Sequence, residues 1–153
     1  MTDLRSQTLE ALRHYAVRYQ ESALHFAAGM ELPTSDGVAL GEILWAETEG
    51  EPMTGTRLAR RIGMTSGAAN ALVNRLEERG LIVRSRESTD RRVVTLRVTD
   101  LTRERSSGFL GSRAAELDEA IGSYDDDTLM VVRDFLLRFA AVLPQDDTAP
   151  SKR

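Results

Sequence analysis

The sequence predicts a mainly helical α+β fold, and three observations carry that expectation. Two short segments with apolar stripes, 54–62 and 65–79, are separated by little more than Gly63. Two β-branched runs, Leu81-Ile82-Val83 and Val93 to Val98, flank a charged stretch that is too polar to bury. Long seams of apolar residues at alternating three- and four-residue spacing occupy both ends of the chain. Helix, tight turn, helix and hairpin in that order make a winged helix-turn-helix over 54–99, with helices on either side.

The first long segment places Leu9, Leu12, Ala16, Tyr19, Ala23, Phe26 and Met30 on one seam, and Pro33 breaks it. A second helix follows Leu32-Pro33-Thr34-Ser35, marked by Val38, Ile43, Leu44 and Trp45. The short helix of the turn unit takes Thr54 as cap, turns Leu58, Ala59 and Ile62 inward, and leaves Arg57, Arg60 and Arg61 outside. Its partner takes Thr65 as N-cap, buries Ala69, Leu72, Val73 and Leu76, and ends at Gly80, with Leu81 placed to close a Schellman motif. The opposite face of that helix carries Ser66, Gly67, Asn70, Ala71 and Asn74, which are small or amide-bearing. A base edge can approach such a face, and a carboxamide matches the donor and acceptor pair of adenine.

In the hairpin, Val94, Leu96 and Val98 alternate with Thr95 and Arg97, so one strand face is expected to be buried. The tip between the strands, 84–92, projects the basic side chains of Arg84, Arg86, Arg91 and Arg92. Thr99 caps the next helix. A weaker seam runs through Leu110, Ala114, Leu117 and Ile121, and a clear one through Leu129, Val132, Leu136, Phe139 and Leu143. Three seams around one small module exceed what it needs for its own core, so part of this apolar surface is expected to meet a second subunit; packing within the chain is the alternative. The polar segment 146–153 reads as a disordered tail.

Composition agrees with one domain over 1–145: the chain has 153 residues, 41% of them hydrophobic. The net charge of −4 conceals a division. Residues 54–105 hold twelve arginines against six acids, whereas the remainder is acidic by ten charges. A basic stripe on an acidic body fits a protein that presents one face to a polyanion. Cysteine is absent, which excludes disulfides and thiol chemistry. No apolar run is long enough to span a membrane and no signal segment opens the chain, so a cytoplasmic protein without membrane contact is expected.

Residues that suggest other chemistry have simpler readings. His14 and His25 lie about 16 Å apart along one helix, too far to chelate one metal together. Asp125-Asp126-Asp127 precedes an apolar helix and lacks the downstream Glu of a calcium loop, so it reads as a helix cap that also complements the helix dipole. Phosphate loops, nucleophile elbows and zinc-protease signatures do not occur. No enzyme, metal or cofactor is expected.

The run LARRIGMTSGAANALVNRLEERGLIVRSRESTDRRVVTLRVT resembles the core of the MarR-type regulators, the multiple-antibiotic-resistance family of bacterial repressors. Its most specific parts are Arg75-Leu76-Glu77-Glu78-Arg79-Gly80-Leu81 and Asp90-Arg91-Arg92. The resemblance implies a homodimer made by helices in 4–31 and 100–143, binding double-stranded DNA, with Arg92 entering the minor groove and Asp90 orienting the wing. It places Thr65, Ser66, Gly67, Asn70, Asn74 and Arg75 toward the major groove, with Arg86 and Arg91 in the wing. It also implies a small aromatic effector, for which Tyr15, Tyr19, Phe26 and Trp45 are the candidate lining, although aromatics at helical spacing are more often core. The sequence departs from the family pattern at Arg57, where an acid often closes a capping box, and at Val98-Thr99-Asp100-Leu101. A winged helix used only for protein contact is the alternative, though Arg91 and Arg92 have little use in it.

Overall fold

The computed structural model describes residues 3–86 and 92–143. Six helices and three strands follow in the order α1 (Leu4–Gly29), α2 (Thr34–Thr48), β1 (Met53–Thr54), α3 (Gly55–Arg61), α4 (Ser66–Glu78), β2 (Ile82–Ser85), β3 (Thr95–Val98), α5 (Asp100–Gly122) and α6 (Asp126–Val142). The chain divides into two compact units, 1–109 and 110–153. The expected tail, 146–153, lies outside the described residues.

In the first unit the core forms where four short elements converge on α2. Leu40 and Ile43 of α2, Leu58 of α3, Leu72 and Leu76 of α4, and Ile82 and Leu96 of the sheet are almost wholly buried. Burying each such side chain contributes about 1.5–3 kcal/mol relative to leaving it in water. Only the last turns of α1 join this core, through Phe26, Ala27 and Met30. Gly37 explains how α1 and α2 approach so closely, because a Cβ there would lie 2.2 Å from the Ala27 Cβ.

Helix ends follow local rules throughout. Thr54 and Thr65 accept hydrogen bonds from the N–H groups of Arg57 and Ala68. Gly80, at φ +68°, closes α4: its own N–H donates to the Glu77 carbonyl and that of Leu81 to the Leu76 carbonyl, the paired bonds of a Schellman motif. The end of α1 has the same bond pattern with a non-glycine in the left-handed position, Glu31 at φ 56°. Arg57 does not weaken the α3 cap, since Thr54 acts alone and the guanidinium pairs instead with Glu51 at 2.9 Å.

The sheet has the order β1-β3-β2, with both neighbours antiparallel to β3. Met53↔Leu96 and Ile82↔Val98 set the registers. The two-residue β1 was not expected, and its presence makes β3 central. Thr95, expected on the open face, is consequently buried beside Leu96. The hairpin tip is also shifted along the chain: β2 continues through Arg84 and Ser85, whereas β3 begins at Thr95 instead of Val93. The hairpin base is tied to α5 by hydroxyls. Thr102 Oγ1 donates to the Leu81 carbonyl at 2.6 Å, and Thr99 Oγ1 donates to that of Gly80 at 2.7 Å. Glu47 of α2 accepts the Val98 N–H at 3.0 Å and Arg103 Nη2 at 2.9 Å, binding strand and helix to the same carboxylate.

The second unit contains the rest of α5 and α6. Asp125 caps α6 by accepting the Thr128 N–H at 2.9 Å, and the Thr128 hydroxyl, followed by this N–H, holds its carboxyl below the usual range. None of the described residues of α6 is buried, and Val131, Leu136, Leu137 and Val142 are exposed. Among the described residues no helix is long and apolar enough to cross a membrane.

One buried charge fixes α4 to α2. Asp36, 1% exposed, accepts Arg75 Nε on Oδ2 at 3.0 Å and Arg75 Nη2 on Oδ1 at 2.7 Å, and the Ser35 hydroxyl adds a third bond at 3.1 Å. The Arg75 fork holds the Asp36 carboxyl below its ordinary value, against the opposing effect of burial. A depressed native pKa means that the unfolded chain takes up the proton first, so this stability is present above the unfolded carboxylate range and lost as pH falls through the native one. Acid unfolding of the wild type therefore begins below about pH 4. Asp36→Asn lowers stability at neutral pH by about 1–2 kcal/mol, moderated because the guanidinium is half in solvent, and flattens the acid limb. Urea unfolding of both proteins across pH 3–7 checks this; parallel pH profiles would refute it.

Candidate nucleic-acid interface

The turn unit presents α4 outward because its apolar stripe has no alternative partner. Ala69, Leu72, Val73 and Leu76 face α2 and α3, so Ser66, Gly67, Asn70, Ala71 and Asn74 face solvent. Gly63, at φ +64°, and Met64 form the link, and the Met64 N–H returns to the Ala59 carbonyl at 2.9 Å. Gly67 has nothing within 4 Å of the position a Cβ would take, so packing within the chain does not require glycine there.

The expected DNA-facing residues separate by their place in the fold. Ser66, Gly67, Asn70 and Asn74 share the exposed face of α4. Thr65 sits at its head, where its hydroxyl oxygen is engaged as the cap. Arg75 is turned aside, since its fork holds Asp36 and its charge is matched there. In the wing, Arg86 and Arg92 are exposed at the two ends of the hairpin tip. Asp90 and Arg91 lie outside the described residues.

Two residues that shape this face were not singled out from the sequence. Arg84, on β2, reaches over α4 and donates through Nη2 to Asn74 Oδ1 at 2.6 Å and to Asn70 Oδ1 at 3.2 Å. Its Nη1 pairs with the Glu77 carboxylate, and the same carboxylate accepts the Arg84 N–H at 3.3 Å. The displaced strand boundary was the missing signal, because Arg84 was placed in the tip and not in a strand beside α4.

The aromatic set does not form one lining. Phe26 belongs to the core, with its ring edge-on to Phe109 at 5.6 Å between centroids. Tyr15 and Tyr19 stack on each other at 6.1 Å and remain exposed. Burial of part of the ring, and then the charge of Glu42, push the Tyr19 hydroxyl pKa up. Trp45, 57% exposed, borders a cleft of about 220 Å³ that also includes Glu42, Glu49, Arg57 and Arg61. Both arginines are paired, Arg57 with Glu51 and Arg61 with Glu42 at 2.8 Å.

A family model described as the MarR family matches residues 43–93, from the second half of α2 to the far side of the hairpin tip. A Bacillus subtilis protein named as an uncharacterised HTH-type transcriptional regulator, YcgE, is 24% identical over 98 residues. That match covers 64% of this chain and 64% of the relative, so the chain spans somewhat less than two thirds of the relative's length. Among solved structures, a MarR family protein from Bacillus stearothermophilus matches with a TM-score of 0.57 at 20% identity, covering 92% of this chain and 97% of that one. The transcription regulator MarR from Oenococcus oeni matches with the same score at 16% identity, covering 91% and 99%. These two establish the shared fold. The helix-turn-helix and wing base fall within the segment that the MarR family model matches, so this part of the chain is similar to that family's, and the solved structures share its fold.

Proposed function

We propose that this protein is a homodimeric, sequence-specific DNA-binding regulator that acts in the cytoplasm as a repressor at an inverted-repeat operator and is released by a small molecule. The observation that carries the reading is the exposed face of α4, where small and amide side chains stand beside a hairpin ending in Arg86 and Arg92. Phosphate contacts from the wing would give affinity and register, and base contacts from α4 would give specificity. The lack of buried residues on α6 and the exposure of Leu9 and Leu24 on α1 support association through the helical ends. Two-fold symmetry would place the reading helices about 34 Å apart, one turn of the duplex.

Assembly is tested by sedimentation and by binding to duplexes with one or two half-sites. The wild type is expected to be dimeric at micromolar concentration. Leu136→Glu is expected to be monomeric and to lose the advantage of the second half-site. A wild-type monomer that binds tightly would refute the dimer.

The reading surfaces are separated by salt titration on operator and scrambled duplexes. Arg92→Ala weakens binding to both and reduces the salt slope by about one charge. Asn70→Ala costs about 1–3 kcal/mol on the operator and little on scrambled DNA. Equal losses on both duplexes for Asn70→Ala would mean that α4 does not read bases.

For the effector, the cleft beside Trp45 offers an indole face with charged groups of both signs at its rim. Trp45 is the single tryptophan, so its fluorescence reports directly on occupancy. A panel of phenols and aromatic carboxylates is expected to include a compound that quenches it and lowers operator affinity in parallel. Release of DNA without any change in that fluorescence would place the effector elsewhere.

A further inference from the structure

The contact between Arg84 and the two asparagines has a chemical direction. A guanidinium has five donors and no acceptor, so only the carboxamide oxygen can face it. Arg84 holds both oxygens, of Asn74 at 2.6 Å and of Asn70 at 3.2 Å, and is itself held by Glu77 through side chain and backbone. Asn70, Asn74 and Glu77 lie on one stripe of α4, at spacings of four and three, so a single arginine from β2 spans all three. Neither amide nitrogen has an acceptor among the described residues.

We infer that Arg84 is a positioning residue that sets the base preference of α4: by keeping both carboxamide oxygens turned toward β2, it makes Asn70 and Asn74 present N–H donors to the groove. This rests on the DNA reading proposed above. Recognition of adenine by asparagine needs oxygen and nitrogen together, the first accepting from N6 and the second donating to N7. With the oxygens anchored, that paired edge is not turned outward. Guanine, with acceptors at O6 and N7, and thymine, with an acceptor at O4, are edges that donors alone can match, whereas at adenine they reach N7 but leave the N6 donor unmatched. The base pairs facing the two asparagines are therefore expected to favour guanine or thymine over adenine, contrary to what asparagine suggests by residue type alone.

The test is selection from a pool of random duplexes by the full-length wild type, Asn70→Ala, Asn74→Ala, Arg84→Met and Glu77→Gln. Each alanine variant flattens one position of the selected motif and so identifies it. At those positions the wild type selects guanine or thymine. Arg84→Met, which keeps a chain of similar length without donors, admits adenine there and lowers the preference for guanine or thymine over adenine about tenfold. Glu77→Gln loosens the guanidinium without touching the core and shifts the same positions in the same direction. It decides the matter where Arg84→Met fails to melt cooperatively. A motif unchanged in the decisive variant, with only uniform weakening, would overturn the inference and make Arg84 a phosphate contact, as would adenine in the wild-type motif. A wild type that selects no motif would instead remove the DNA reading itself, whatever Arg84 does.

Discussion

The buried carboxylate of Asp36 is the constraint on which the placement of α4 depends. Apolar packing of Leu72 and Leu76 brings α4 against the core, but dispersion and burial have little directional preference and leave rotation about the helix axis loosely set. The two parallel hydrogen bonds from Arg75 supply that direction, because a guanidinium and a carboxylate must be coplanar to make both. An Asp sealed from water without this partner would carry a desolvation penalty of several kcal/mol. Once the rotation is set, the opposite face of α4 follows from helical geometry, and so does the stripe of Asn70, Asn74 and Glu77.

The positive charge of 54–105 has to be read with its partners. Arg57, Arg61, Arg75, Arg84 and Arg103 all lie within 4 Å of a carboxylate. Some of those acids, Asp36, Glu42, Glu47 and Glu51, lie outside the segment whose charge was summed. The net charge along the sequence therefore overstates the local field, since the acidic body folds against the basic stripe and neutralises part of it. Arginine serves both purposes here because its planar fork suits a fixed carboxylate as well as a phosphate.

Features governed by neighbours in sequence were legible, and those governed by distant partners were not. Thr54, Thr65, Thr99 and Asp125 act as caps, and Gly63 and Gly80 take the left-handed turns, because each needs only the next few residues. The joining of Asp36 to Arg75 spans 39 positions, and nothing local marks an acid in the first turn of α2 as buried. Gly37 looks like an ordinary helical glycine until Ala27 is brought against it. Spacing alone could not separate Phe26 from Tyr15 and Tyr19 on the same seam. The difference arises because α2 and the start of α5 cover only the last turns of α1 within this unit. The strand β1 was missed for a related reason, as two residues have no periodicity and exist as a strand only through pairing with β3.

The hydroxyl bonds that attach the hairpin to α5 are neutral, in contrast to the bridge through Glu47. Thr99 and Thr102 donate hydroxyl protons to the carbonyls of Gly80 and Leu81, and mobile ions screen neither bond appreciably. The Asp36 fork is shielded by its burial. Contacts with a polyanion, by contrast, weaken steeply as salt releases its counterion advantage. On the proposed reading, ionic strength would act on grip more than on frame: the protein would detach from a charged partner over a range of salt in which the neutral and buried bonds of its architecture stay intact, so attachment would be reversible without refolding.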